Sequence, residues 1–493
     1  MGDPARSSPL MGDERPRSAK GSRSATADVI PLGSWRVICH DARFGRTDKD
    51  GAHMKPVDVV EPVSEPTTPK DMRKICAAGA VGTGIELYDF LIFGLAAGLV
   101  FPKLFFPGSD PLTGALLSFM ALGAGFVSRP LGGAVFGHFG DRVSRKTMLV
   151  VSLVATGLCT MGIGALPTYA SIGTLAPILL VTLRVLQGFF MGGEQAGAFI
   201  VVTEHAPTGR RAFFGASVTA GSPLGSILGI GVFNIVALAT GAAFVEWGWR
   251  IPFLASAVLV AVGLYVRLSI GESPVFRRIA AQRAAVRAVP LWGALKGAPH
   301  LLIGGVLVNL GFNLFIFIIN SFTSSYGTQQ LGIERDDILL SGLWGSFGML
   351  VFVFVAGGLA DRFGLVRVML CGAIFQVLWA YPYFWLLDTR GIPALYVAVV
   401  VAYIGLSFVF GPMAAFYVSL FRPEIRYSGV AVSYNLGAVL GGGLSPAIAT
   451  ALVQRYDAST GISAYIALGG VVSALGLLLT ARQVKAARDP ADI

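Results

Sequence analysis

Glu86 and Asp89 stand three residues apart in the apolar run GIELYDFLIFG, and on a helix that spacing puts both carboxylates on one face. In a medium of low dielectric, two carboxylates so close do not both ionise cheaply, so one is expected to hold a proton. Proton binding and release is the chemistry the pair offers. A second apolar run, RVLQGFFMGGEQAGA, carries Arg184, Gln187 and Glu194, which with Met191 and Gln195 form a stripe about 100° wide at the helical period. Arg184 is expected in the outer half of the bilayer and Glu194 in the inner half. Charges at mid-bilayer cost about 2.5–3.5 kcal/mol each even on lenient scales, so these residues are functional candidates. Arg184 is the natural partner of Asp89. The pair reads as a switch, although a static pair that fixes helix register has the same signature.

A third group lies in the stretch Gly137–Lys146 (GHFGDRVSRK), between two hydrophobic runs each too long for a globular core. It holds Gly137 and Gly140, read as a turn-forming pair, then Asp141 and the bases Arg142, Arg145 and Lys146. An Asp at a helix end can pair with a neighbouring helix and complement its dipole. Such a charged hinge suits a gate that is closed in one state and open in another. For Lys146 alone, anchoring at the inner membrane surface is explanation enough. A weaker copy, GGLADRFGLVRVML (Gly357–Leu370), with Asp361 and Arg362, recurs about 220 residues later, as expected of two related halves.

Helices in lipid must hold these side chains. At 493 residues the chain has the length of two or three soluble domains, but 54% of it is hydrophobic and only 13% charged. Mean hydropathy is +0.69, which places it among membrane proteins. Several apolar runs exceed the ~20 residues that cross ~30 Å of hydrocarbon, and the short alternating segments of a β-barrel are absent. Twelve helices are predicted near 75–101, 112–137, 147–167, 174–204, 212–240, 247–269, 299–325, 337–360, 366–388, 393–420, 428–454 and 461–481.

Loops after even-numbered helices carry, among others, Arg142, Arg145, Lys146, Arg210, Arg211, Arg277, Arg278, Arg362, Arg367, Arg422 and Arg426. Those after odd-numbered helices carry Lys103, Arg250, Arg335, Arg390 and Arg455. This asymmetry of about threefold places the first set and both termini in the cytoplasm. Residues 1–73, rich in Pro, Ser, Asp and Arg, read as a disordered cytoplasmic tail with no signal peptide, Met54 and Met72 being alternative translation starts. Residues 74–269 and 299–482 form two six-helix halves. Between them, 270–298 is a cytoplasmic linker whose ESPVFRRIAAQRAAVRA stretch looks like a basic surface helix, and 483–493 is a cytoplasmic tail. The basic loops account for the net charge of +10 without any nucleic-acid partner. Cys39, Cys76, Cys159 and Cys371 are scattered without disulfide or metal spacing. No metal site, cofactor site or nucleophile–base set is evident, so the chain does not read as an enzyme.

The loop motif, its copy, twelve crossings and a central polar segment resemble the major facilitator superfamily. GIELYDFLIFG, RVLQGFFMGGEQAGA, GESPVFRR and FRPEIRYSGVAVSYN look like its metabolite:proton symporter branch, which includes carriers for shikimate, 2-oxoglutarate, citrate and proline or betaine. The resemblance runs from about residue 74 to 482. It implies an all-α membrane protein of twelve transmembrane helices in two pseudo-symmetric six-helix halves, rocking about a cavity lined by helices 1, 4, 7 and 10. In sugar-transporting relatives an Asp in helix 1 opposite an Arg in helix 4 couples protonation to transport. Asp89 and Arg184 occupy the matching YD and RxxxG positions. Protonating Asp89 would free Arg184 to hold an anionic group of the substrate. Glu86, Tyr88 and Glu194 match the branch's E-x-Y-D-F and G-G-E patterns, either as an extension of the proton path or as bonds between helices. Glu204 and Arg211, in EHAPTGRR, resemble an acidic–basic pairing of the inner gate.

In helix 7, Asn309, Asn313, Phe317 and Asn320 share a face, suited to a polar solute or to bonding between helices. Helix 10 offers Tyr396, Tyr403, Ser407 and Tyr417 but no charge, which leaves Arg184 as the one cation expected in the cavity. The runs GSPLGSILG and GAVLGGGLSP read as small-residue packing seams. Together these point to a secondary active transporter: proton-coupled symport, in the uptake direction, of a small organic acid or zwitterionic metabolite. It would act as a monomer in the plasma (inner) membrane, with the solute, protons and lipid as its partners. Proton-antiport export of drugs or metabolites is the alternative on the same fold; a transport-derived nutrient receptor is a further one.

Overall fold

The computed structural model describes residues 68–109, 111–269, 271, 299–456 and 459–487. Nearly all of the expected N-terminal tail, the linker with its surface helix and the chain end from 488 lie outside the described residues. Twelve helices are long and apolar enough to cross a membrane: α1 Pro69–Leu99, α2 Leu116–Arg142, α3 Arg145–Ala165, α4 Leu175–His205, α5 Arg211–Thr240, α6 Arg250–Leu268, α7 Pro299–Thr328, α8 Arg335–Phe363, α9 Leu365–Asp388, α10 Ile392–Leu420, α11 Arg426–Val453 and α12 Thr460–Ala486.

α1 starts earlier than hydrophobicity alone indicates. The Thr68 hydroxyl accepts a hydrogen bond from the Asp71 amide at 3.2 Å and Pro69 occupies the first turn, which together fix a helix start. At the head of α6, Arg250 donates to the carbonyls of Gly164 (2.8 Å) and Leu166 (2.6 Å). That accounts for one base on the face expected to be poor in them: it closes the C-terminal end of α3.

Helix pairing repeats between the halves. α1 packs on α5, α2 on α4, α3 on α4 and α6; correspondingly α7 packs on α11, α8 on α10, α9 on α10 and α12. Across the halves, α2 meets α11 and α8 meets α5, the same contact exchanged by the symmetry. α4 is interrupted between Met191 and Glu194, and α10 at the corresponding place between Phe410 and Met413. α7 and α11 each widen into a π-turn, Ile318–Phe322 and Val439–Gly443.

Small residues set how closely the helices approach. A Cβ on Gly225 would lie 2.1 Å from the Gly84 carbonyl oxygen, and one on Gly441 2.2 Å from that of Leu310, so both glycine runs are packing seams. The Gly137/Gly140 pair is corrected by the structure. It does not form a turn but lies inside the last turns of α2, and the chain reverses only at Val143–Ser144. The reason for glycine there is approach: a Cβ on Gly137 would sit 2.7 Å from Ser428 Cα and one on Gly140 2.5 Å from the Tyr427 ring. Gly137→Val is therefore expected to force α2 and α11 apart, lowering stability by about 1–3 kcal/mol, read as a lower unfolding temperature in detergent.

Candidate functional site

Near the middle of the helices α1, α2 and α4 bring four charges together, with the Thr160 hydroxyl of α3 beside them. Asp89 is 1% exposed and accepts a hydrogen bond on Oδ2 from Thr160 of α3 at 2.7 Å. Gln187 Nε2 donates to Thr160 Oγ1 at 2.6 Å and, at 3.5 Å, to the same Asp89 oxygen. Arg184 Nη1 donates to Gln187 Oε1 at 2.5 Å, and its guanidinium lies 4.4 Å from the centre of the Phe93 ring. The direct Asp89–Arg184 pair expected from sequence is thus replaced by a relay: Gln187, one turn beyond Arg184, stands between them.

Glu86 pairs with a cation of α2. Arg129, at the midpoint of α2, places Nη1 2.8 Å from Glu86 Oε1 and stacks its guanidinium 4.4 Å from the Phe126 ring centre. Arg184 is therefore not the only cation at this depth. The signal was available, since an Arg inside an apolar run meets the same penalty that singled out Arg184. Two carboxylates against two guanidiniums leave the cluster formally neutral, the condition on which buried charge is tolerated.

Other candidates fall elsewhere. Glu194 pairs with Arg267 near the end of α6 and accepts from Ser152 of α3 at 2.8 Å, joining three helices; a Cβ on Gly82 would collide with both members of the pair. Tyr88 donates to the Pro252 carbonyl at 2.7 Å and so staples α1 to α6. Asn309 donates to the Tyr434 carbonyl of α11 at 2.6 Å, and Asn313 to Asn309 Oδ1 at 2.8 Å, so both are held within the second half. Asn320 is exposed and accepts from the Tyr403 hydroxyl of α10 at 2.7 Å. Phe317 meets Phe90 and Phe126 edge-on, with centroids 5.6 and 5.4 Å apart, and so touches the first half beside Arg129.

The residues expected to form a gate converge at one end of the helices. Asp141, at the end of α2, accepts from the amides of Tyr427 (3.1 Å) and Ser428 (2.9 Å) and from the Ser428 hydroxyl (2.9 Å). Asp361, at the end of α8, accepts from the amides of Ala212 and Phe213, both at 2.9 Å. Each carboxylate thus caps the first turn of a helix in the opposite half, where the amides are unsatisfied and the dipole favours negative charge. Glu204, at the end of α4, pairs with Arg145 of α3 and, at 2.7 Å, with Arg426 of α11; Arg145 also donates to the Pro423 carbonyl at 3.0 Å. The base that crosses to Glu204 is Arg426, whereas Arg211 is exposed at the head of α5. Arg142 and Arg362 are exposed too, and Lys146 donates to the Leu268 carbonyl at 3.0 Å, capping the end of α6. Two further bonds cross to the break in α4: Tyr427 Oη to the Gly193 carbonyl and Asn435 Nδ2 to that of Gly192, both 2.7 Å. These bonds tie the two halves together at this end of the helices.

Comparison with known proteins agrees with this architecture. The sequence profile of the Major Facilitator Superfamily matches residues 80–446. The chain is 40% identical over 422 residues to the inner membrane metabolite transport protein YhjE of Escherichia coli K12, covering 84% of this chain and 95% of that one. The chain belongs to the major facilitator superfamily. It is also 37% identical over 412 residues to the shikimate transporter of the same organism, covering 83% of this chain and 94% of the relative. Among solved major facilitator structures, the proton:xylose symporter XylE bound to 6-bromo-6-deoxy-D-glucose superposes with a TM-score of 0.67 over 84% of this chain and 96% of that one, at 15% identity. At that identity the fold alone is shared. Like its relatives, this major facilitator protein is a multi-pass membrane transporter of metabolites and not an enzyme.

Proposed function

We propose that the chain takes up a small organic acid or zwitterionic metabolite by proton-coupled symport, alternating access between two halves bounded near 74–269 and 299–482. In this reading it works as a monomer in the plasma (inner) membrane, with the gate face and both termini cytoplasmic. The observation that carries it is the buried Asp89–Thr160–Gln187–Arg184 relay. A proton on Asp89 removes the charge that orders Thr160 and Gln187, and leaves the Arg184 guanidinium without its counter-charge. α4 carries that change towards its own break at Gly192–Gly193, the segment that Tyr427 and Asn435 grip from the second half. Loss of that grip, with the Asp141 and Asp361 caps, opens the gate face. Deprotonation there restores the relay. The shikimate transporter's name supports a carboxylate-bearing solute.

Uptake of labelled shikimate, 2-oxoglutarate, citrate, proline and glycine betaine into proteoliposomes tests this. Accumulation of at least one solute that depends on an inward proton gradient is the expected result. Extrusion of solute against its gradient under the same conditions would establish the exporter reading in its place.

A further inference from the structure

The two charge pairs of the cluster differ in what surrounds them. Every hydrogen-bond partner of Asp89 and Arg184 lies on α3 or α4 of the first half, and the two residues are 1% and 2% exposed. Arg129 and Glu86 stand instead where the halves meet. Phe126, under the Arg129 guanidinium, contacts Phe317 of α7, and Phe90 closes a three-ring cluster with both. From α11 of the second half, Tyr434 is within electrostatic reach of both Glu86 and Arg129. The pair itself is incomplete. It is joined through one nitrogen and one oxygen, Arg129 Nη2 reaches Met191 Sδ at 3.8 Å, and Arg129 Nε and Glu86 Oε2 are buried with no hydrogen-bond partner, as are Asp89 Oδ1 and Arg184 Nε; what distinguishes the Arg129 pair is its place between the halves. An Arg presents a planar fork that a carboxylate fills through two parallel bonds, and this one is half filled.

We propose that Arg129 is the anchor for the substrate's carboxylate and that Glu86 is the internal carboxylate the substrate displaces. The assignment rests on the symport reading and names the solute class: a small molecule with one carboxylate and no second acidic group, whose body packs on Phe90, Phe126 and Phe317. The proton that enters through Asp89 passes to Glu86, three residues away on the same helix face, the ion pair with Arg129 breaks, and the substrate's carboxylate takes the Arg129 guanidinium, its Nη1 now released and its Nε without a partner. On the other side the carboxylate leaves, the proton leaves Glu86, and the internal pair reforms. One proton and one carboxylate enter and leave together, so the cluster keeps its charge. The charged or titratable groups facing Glu86 are Asp89 on its own helix, Arg129 on α2, Arg184 and Glu194 on α4, and Tyr434 on α11.

The test is binding to the full-length protein in nanodiscs, by calorimetry, of shikimate, proline and glycine betaine, each compared with its methyl ester between pH 5 and 8. Wild-type protein is expected to bind an acid in preference to its ester, with affinity falling by up to about tenfold per pH unit as Glu86 loses its proton. Glu86→Gln mimics the protonated state and is expected to bind with the low-pH affinity throughout, without the slope. Arg129→Lys keeps the charge but not the fork and is expected to lose about 10- to 100-fold. The neutral double variant Glu86→Gln/Arg129→Gln leaves no uncompensated charge, so it folds, and it is expected to bind acid and ester alike. Undiminished preference for the acid in the double variant, or an intact pH slope in Glu86→Gln, overturns the assignment while leaving the symport reading in place. Wild-type protein that binds none of the acids overturns both.

Discussion

An Asp89→Asn transporter is expected to exchange solute across the membrane but not to accumulate it. The amide keeps the size of the carboxylate and can still accept from Thr160, so the hydrogen bond between α1 and α3 survives. What disappears is the carboxylate through which the proton enters the cycle. A gradient of one pH unit supplies about 1.4 kcal/mol, a tenfold concentration ratio, for each coupled proton. In the variant the accumulation ratio is expected to fall to about one, while counterflow of labelled against unlabelled solute continues. Normal accumulation by this variant would remove Asp89 from the coupling mechanism. Loss of counterflow as well would make it a structural residue.

Glu204→Gln is expected to have the largest effect at the gate. Glu204 is the common counter-charge of Arg145 and Arg426, and its side chain is 2% exposed. Removing it leaves two guanidiniums confronting one another at the border of the halves. Loss of one partner from a buried ion pair costs about 3–5 kcal/mol, and here the halves can separate to relieve it. The variant is therefore expected to favour an open gate face. A cysteine in place of Thr203, 1% exposed in the closed form, should become reactive towards an impermeant maleimide. Adding Arg426→Gln to remove the second guanidinium should restore protection in part. Unchanged labelling of Thr203→Cys in the Glu204→Gln background would show that the Asp141 and Asp361 caps suffice to hold the gate.

The twelve helices were legible because each is a long apolar window, and the structure moves their ends by only a few residues. α1 starts at a cap, Thr68–Pro69, that hydropathy does not register. The glycine motif misled in a physical sense: Gly137 and Gly140 are as common in turns as in close helix contacts, and only the position of α11 decides between them. Glu86, Asp89 and Arg184 announced themselves as charges in lipid. Their partners did not. Thr160 is a hydroxyl in an apolar helix, of a kind that usually bonds its own backbone, and Gln187 reaches Asp89 only because α1, α3 and α4 converge. Arg426 lies 222 residues from Glu204, a pairing that local sequence cannot encode. Arg129 was legible by the argument already applied to Arg184 and was masked by the glycines beside it.

The account is tested most directly by following internal pH in proteoliposomes holding a pH-sensitive dye, when a transported solute is added outside with no gradient imposed. If protons travel with the solute, the lumen acidifies in step with labelled uptake, and the acidification disappears in Asp89→Asn although counterflow persists. Solute entering wild-type vesicles with no change in internal pH, or with alkalinisation, would contradict it.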